Sequence, residues 1–203
     1  MNQQSYPDTR KCTLQKSNQG FSEISIDSCL AEQRIISLTG SITQQSAIWF
    51  SKQIADLLLK DSTRPIKLLL DSTGGSIEAG NLILDVIQGS PVPVSVYCIN
   101  QAYSMAAVIF CVATGGRYML PTARLMIHQP SVMEVAGTAA EIGQISAFLQ
   151  ENKTRLFTIL AEHSDFTLKE LEQKATNDLY LTAKEAVSRK LSDRIVTFAE
   201  IIQ

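Results

Sequence analysis

The 203-residue sequence predicts an α/β domain built from repeated β-β-α or β-α-β units. Three observations carry that prediction: short apolar runs of strand length recur along the chain, each is followed by a segment of helical periodicity, and glycine turns stand between several of them. The chain suits one domain with one substantial core.

Taken in order, residues 1 to about 20 are polar, contain Pro7 and end in Ser-Asn-Gln-Gly, which predicts a flexible N-terminal arm before an ordered domain that begins near Phe21. Glu23-Ile-Ser-Ile-Asp27 alternates as a half-buried strand, and Arg34-Ile-Ile-Ser-Leu38 reads as a second. Residues 43 to 60 carry Ile48, Ala55, Leu58 and Leu59 at helical positions, and Ile66-Lys-Leu-Leu-Leu70 has the length of a buried strand. After Asp71 comes a glycine turn, then Ile77, Leu82, Leu84 and Ile87 on a helix closed by Gly89. Pro93-Val-Ser-Val-Tyr-Cys-Ile99 reads as a strand and 104 to 113 as a buried helix, with short strands at 117 to 120 and 124 to 127. From about 138 to 162 a single long helix carries Ile142, Ile145, Leu149, Leu156 and Leu160 on a seam narrow enough to pair with a partner helix. A last helix is expected from Thr182, where Thr-Ala-Lys-Glu185 has the form of a capping box.

Composition narrows the function classes. Hydrophobic residues make up 45% and charged residues 19%, and a net charge of −2 supplies no basic surface for nucleic acid. The first residues lack the basic-then-apolar order of a secretory signal and no apolar run reaches a membrane span, so a cytoplasmic protein is expected. Cys12, Cys29, Cys98 and Cys111 have no metal or redox spacing and read as free thiols. Asn152-Lys-Thr154 matches a glycosylation sequon, uninformative without export.

Three places carry chemistry. Ser104 follows a strand and a loop and heads the apolar helix Met105-Ala-Ala-Val-Ile-Phe110, a position that sets a hydroxyl beside unpaired helix amides able to stabilise an oxyanion. Its plainer reading is an N-cap. His128, one of two histidines, stands where the strand Arg124-Leu-Met-Ile127 stops, at a sheet edge, and can accept a serine proton and return it; its plainer reading is a hydrogen-bonded structural histidine. His163 falls on or just after the long helix and is the poorer candidate. Asp71-Ser-Thr-Gly-Gly-Ser76 joins strand to helix through paired glycines that let an amide point at a close ligand. It lacks the lysine and spacing of a P-loop, so a peptide or acyl oxygen is the better guest.

The segments Ser-Thr-Gly-Gly-Ser-Ile-Glu-Ala-Gly80, Gln101-Ala-Tyr-Ser-Met-Ala-Ala107, Arg124-Leu-Met-Ile-His-Gln-Pro130 and Leu181-Thr-Ala-Lys-Glu-Ala186 stand in one order. Together they resemble the Clp protease proteolytic subunit family, ClpP, over about residues 21 to 197. The resemblance implies a ClpP/crotonase-like α/β fold, and a serine endopeptidase with Ser104 as nucleophile and His128 as base. It puts the acid at Asp178, which the residues alone do not separate from Asp165 or Asp193. Gly75 and Met105 would supply the oxyanion-hole amides. The long helix would be the handle that joins heptameric rings into a tetradecamer, and residues around 17 to 21 would line the pore.

No cofactor or metal is implied; ATP would be used by a partner unfoldase ring that feeds in polypeptide. Against the family pattern, Lys67 and Leu69 replace aromatic residues of the unfoldase docking pocket, Asn177 stands where many members carry arginine, and Lys190 replaces a helix-end glycine. These departures bear on assembly and point to rings mixed with a second ClpP paralogue. Two rivals remain open on sequence: a crotonase-type hydratase or isomerase working through carboxylates, and a non-catalytic ring subunit.

Overall fold

The computed structural model describes residues 12–17, 20–131 and 136–202. A hairpin of β1 (Cys12–Ser17) and β2 (Gly20–Ser25) opens the chain, paired antiparallel from Cys12↔Ser25 to Ser17↔Gly20. The expected arm of residues 1–20 is thus corrected over 12–17, where each strand supplies the backbone partners the other lacks. Residues 1–11 and 18–19 lie outside the described residues. The strand predicted at 23–27 ends at Ser25, whose hydroxyl accepts the N–H of Ser28 and starts α1 (Ile26–Glu32).

The body follows as β3 (Ile35–Ile42), α2 (Gln44–Lys60), β4 (Ile66–Gly75), α3 (Ile77–Gln88), β5 (Val94–Tyr103), α4 (Met105–Cys111), β6 (Gly116–Met119), β7 (Arg124–Ile127), α5 (Ala139–Glu162), α6 (Leu168–Lys174), β8 (Leu179–Thr182), α7 (Ala183–Ser188), β9 (Arg194–Ile195) and α8 (Phe198–Ile202). Among the described residues one sheet runs β3-β4-β5-β6-β9 in parallel. β5 is long enough to take two neighbours on one edge: Ser95 to Cys98 pair with β6, and Gln101 to Tyr103 pair with β7. β8 then closes against β7 in the antiparallel sense.

Each strand alternates between two apolar layers. Leu68 and Leu70 of β4, Val96 and Cys98 of β5 and Ile36 and Leu38 of β3 point into the main core. There they meet Ala47, Phe50, Ile54 and Leu57 of α2, spaced for one helical face, and the wholly buried α4. Burial pushes the Cys98 and Cys111 thiols up to about 12, so both behave as small hydrophobes. Ile35, Leu69 and Tyr97 point to the other face, where Val196 and Ile201 cover them. Lys67 shares that face, and its Nζ donates to the Ile201 carbonyl at 2.7 Å, capping the short α8. The charge that the sequence places in a docking pocket is therefore already engaged by the chain's own last helix.

The handle seam divides. Leu156 and Leu160 are buried with Phe157 in the main core, whereas Ile142 and Phe148 are 43% and 50% exposed, so the helix projects its N-terminal half away from its own domain. Asn152 is buried within this helix and donates to the Phe148 carbonyl. Among the described residues no helix is long and apolar enough to cross a membrane.

Thr182 caps α7 through the expected box with Glu185, but this is not the last helix, since α8 follows. α7 ends in a Schellman turn: the Leu191 N–H reaches Ala186 O at 2.9 Å and the Lys190 N–H reaches Val187 O at 3.0 Å, with Lys190 at φ +56°. Lys190 thus takes the left-handed conformation that a glycine would favour at this helix end, because the two closing bonds and Leu191, wholly buried, hold it there. A side chain in that region costs about 1 kcal/mol. Lys190→Gly is expected to raise the melting midpoint by about 2–4 °C in a calorimetric scan, an unchanged or lowered midpoint being the contrary result.

Candidate active site

The nucleophile candidate sits where β5 turns sharply into α4. Ser104 has φ +55° and ψ −124°, a conformation few non-glycine residues hold. It is held by its own N–H, which donates to Met126 O on the neighbouring β7 at 2.8 Å, and by the Ala107 N–H, which returns to Ser104 O at 2.9 Å. Its side chain caps nothing, so the plain N-cap reading fails. Instead Ser104 Oγ lies 2.7 Å from His128 Nε2. For the hydroxyl to donate, Nε2 must be the bare nitrogen and Nδ1 must carry the proton.

Strand pairing places the third residue. The β7/β8 register runs Arg124↔Thr182, Leu125↔Leu181, Met126↔Tyr180 and Ile127↔Leu179. One step beyond the last rung, His128 faces Asp178. Asp178 Oδ1 lies 4.0 Å from His128 Nδ1, close enough for charge to be felt but too long for a hydrogen bond. The rival aspartates are committed elsewhere: Asp165 to Lys190 at 2.8 Å, and Asp193 to Arg117 at 2.6 Å. His163, the other histidine, has its Nδ1 2.8 Å from the Ile159 carbonyl at the end of α5 and takes no part.

Gly74 and Gly75 end β4 at φ +88° and +150°, and the Gly74 N–H is taken by the buried Ser72 hydroxyl at 3.0 Å. Gly74 lies so close to the elbow that a Cβ there would stand 2.7 Å from Ser104 Cβ and 3.0 Å from Met105 N. Gly75 is as tight against β3, where a Cβ would meet Ile42 O. Ser104, Met105, Gly75 and His128 line one cavity of about 280 Å³, floored by apolar residues that include Val108, Met126 and Phe157. Met105 is the first residue of α4, where an N–H has no acceptor within the helix. Among the described residues no carboxylate lines this cavity and no cluster able to hold a metal occurs.

Sequence reasoning missed Tyr180. Its hydroxyl donates to Asp178 Oδ2 at 3.3 Å, and its ring packs edge-on against Tyr103 at 5.7 Å between centroids. Partial desolvation, then the facing Asp178 carboxylate, raises the Tyr180 hydroxyl above the usual phenol range, so it remains a donor at neutral pH. Only the β7/β8 register, which sets Tyr180 opposite Met126 two residues after Asp178, could have signalled it.

Residues 18–199 match the family model described as Clp protease. An ATP-dependent Clp protease proteolytic subunit 2 of Corynebacterium efficiens is 34% identical over 95% of this chain and 96% of that protein. The subunit 2 of Corynebacterium glutamicum is 36% identical over 89% of the chain and 90% of its own length. A subunit 1 of Chlamydia felis is 34% identical over 92% of each. With a family match over nearly the whole chain and relatives of this extent, the protein belongs to the Clp protease family.

Proposed function

We propose that this chain is the proteolytic subunit of a Clp-type protease and cleaves peptide bonds through an acyl-enzyme on Ser104. The observation that carries the reading is the 2.7 Å approach of Ser104 Oγ to His128 Nε2 at a strained elbow inside a cavity. Ser104 Oγ attacks the scissile carbonyl as His128 Nε2 takes its proton, and the imidazolium returns that proton to the leaving amine. Water then attacks the ester by the same route in reverse. Asp178 stabilises the imidazolium, and the amides of Gly75 and Met105 receive the oxyanion. The apolar floor favours a substrate side chain of apolar character beside the scissile bond.

The chemistry asks for no cofactor or metal from the chain. ATP belongs to a partner unfoldase that delivers polypeptide to the barrel, and the assembly works in the cytoplasm. The exposed half of α5 supports stacking of heptameric rings into a tetradecamer. Names numbered 1 and 2 among the relatives support paralogous subunits, and Asn177, where many family members carry arginine, supports a mixed assembly with a second ring.

Labelling with a fluorophosphonate followed by peptide mapping tests the chemistry. The adduct is expected on Ser104; an adduct elsewhere, or none, overturns the reading. Sedimentation tests the assembly: the purified chain at micromolar concentration is expected at about seven or fourteen times the monomer mass, and a strictly monomeric or dimeric species contradicts a barrel formed by this chain alone.

A further inference from the structure

Asp178 is one carboxylate between two donors. Oδ2 accepts from the Tyr180 hydroxyl at 3.3 Å, while Oδ1 stops 4.0 Å short of His128 Nδ1. To reach hydrogen-bond distance from His128, Oδ1 must travel roughly 1 Å. A shift away from Tyr180 opens a contact that is already long, so the two bonds compete. The Asp178 side chain is half exposed and therefore free to move, and no hydrogen bond besides that of Tyr180 is found on its carboxylate among the described residues.

Tyr180 is less free. It lies opposite Met126, which pairs on its other side with Tyr103, so Tyr103, Met126 and Tyr180 form one row across three strands. The edge-on contact of the two rings, at 86°, ties Tyr180 to the residue that precedes Ser104. The Tyr180 hydroxyl, restrained through this ring contact at a half-exposed position, draws on Asp178 from the side of Tyr103.

We propose that Tyr180, braced on Tyr103, is a positioning residue that holds Asp178 back from His128 and thereby sets how often the Ser-His-Asp unit is complete. The proposal rests on Ser104 and His128 being the reacting pair. It acts through Asp178 alone: Tyr180 touches neither of them.

Tyr180→Phe keeps the ring contact and removes the hydroxyl. In the assembled enzyme, kcat for a short chromogenic peptide amide is expected to rise about three- to tenfold, the weight of one hydrogen bond, with KM unchanged. The rate of fluorophosphonate acylation of Ser104 should rise by the same factor. In an Asp178→Asn background, Tyr180→Phe should change neither rate, since an amide oxygen competes far less for either donor. A kcat that falls or stays level, or a gain that persists beside Asp178→Asn, overturns the proposal while Ser104 labelling in the parent stands. A parent that is not labelled at Ser104 overturns the reading of the site as well.

Discussion

Ser104→Ala is expected to lower peptide hydrolysis by several powers of ten and to abolish fluorophosphonate labelling, with the fold intact. The hydroxyl makes one contact, to His128, and caps no helix amide, so its removal takes chemistry away without leaving a buried donor unpaired. His128→Ala should match it closely, because a serine without its base is an ordinary alcohol and members of such a unit fail together. Asp178→Asn should cost less than either, given the 4.0 Å gap and the solvent that already reaches the carboxylate. Steady-state rates on a short peptide, with parallel circular dichroism, check the series. Equal activity in the alanine variant and the parent, or an asparagine variant more damaged than the alanine ones, contradicts the assigned order.

Gly74→Ala should also be damaging, by a smaller factor and for a different reason. The added methyl would stand 2.6 Å from Tyr103 O and 2.7 Å from Ser104 Cβ, at a φ of +88° that disfavours any side chain. Neither neighbour can yield cheaply: Tyr103 is the last residue of β5, and the Ser104 backbone is hydrogen-bonded to β7. The elbow must shift, which carries Oγ away from Nε2 and crowds the Met105 amide proposed to receive the oxyanion. An error of an ångström in such a geometry is worth about a hundredfold in rate. Strain of this kind also costs about 1–3 kcal/mol, so the melting midpoint should fall by several degrees. Parent-like kcat with an unchanged midpoint would show that the turn is looser than its contacts imply.

How far the sequence reached depended on the range of the forces involved. Ile48, Ala55, Leu58 and Leu59 place α2, and its extent holds, but its buried face is Ala47, Phe50, Ile54 and Leu57, with Ile48 and Leu59 exposed; Ile77, Leu82, Leu84 and Ile87 place α3, and of these Leu84 and Ile87 are buried. β4 was legible because a short run of apolar residues, broken only by Lys67, is buried on both faces. The short α6 and α8 were passed over, although Thr167-Leu-Lys-Glu170 and Thr197-Phe-Ala-Glu200 carry the same Thr-x-x-Glu pattern that marked α7, and both pairs form their hydrogen bonds. One or two turns of helix bury too little to leave a period, so only the cap could be seen. Ser104 and His128 were legible as residues at element ends. Asp178 was not separable from Asp165 or Asp193 by local pattern, because what selects it is the pairing of β7 with β8, and register between strands far apart in sequence is written in no one segment. Tyr180 was hidden by the same fact.

Over its first turns α5 leaves Ile142 and Phe148 exposed, and its buried residues begin only at Asn152. A stretch of helix that short, with so little of it buried, lies near the helix–coil midpoint in water, and its Thr138–Glu141 cap slows fraying only at the first turn. Order along this helix is then a matter of mass action rather than of sequence: dilute the protein and the turns from Ala139 onward loosen first, concentrate it and they are held by whatever apolar face meets Ile142 and Phe148. Its melting curve should therefore shift with protein concentration, as a helix that borrows its stability from a neighbour must.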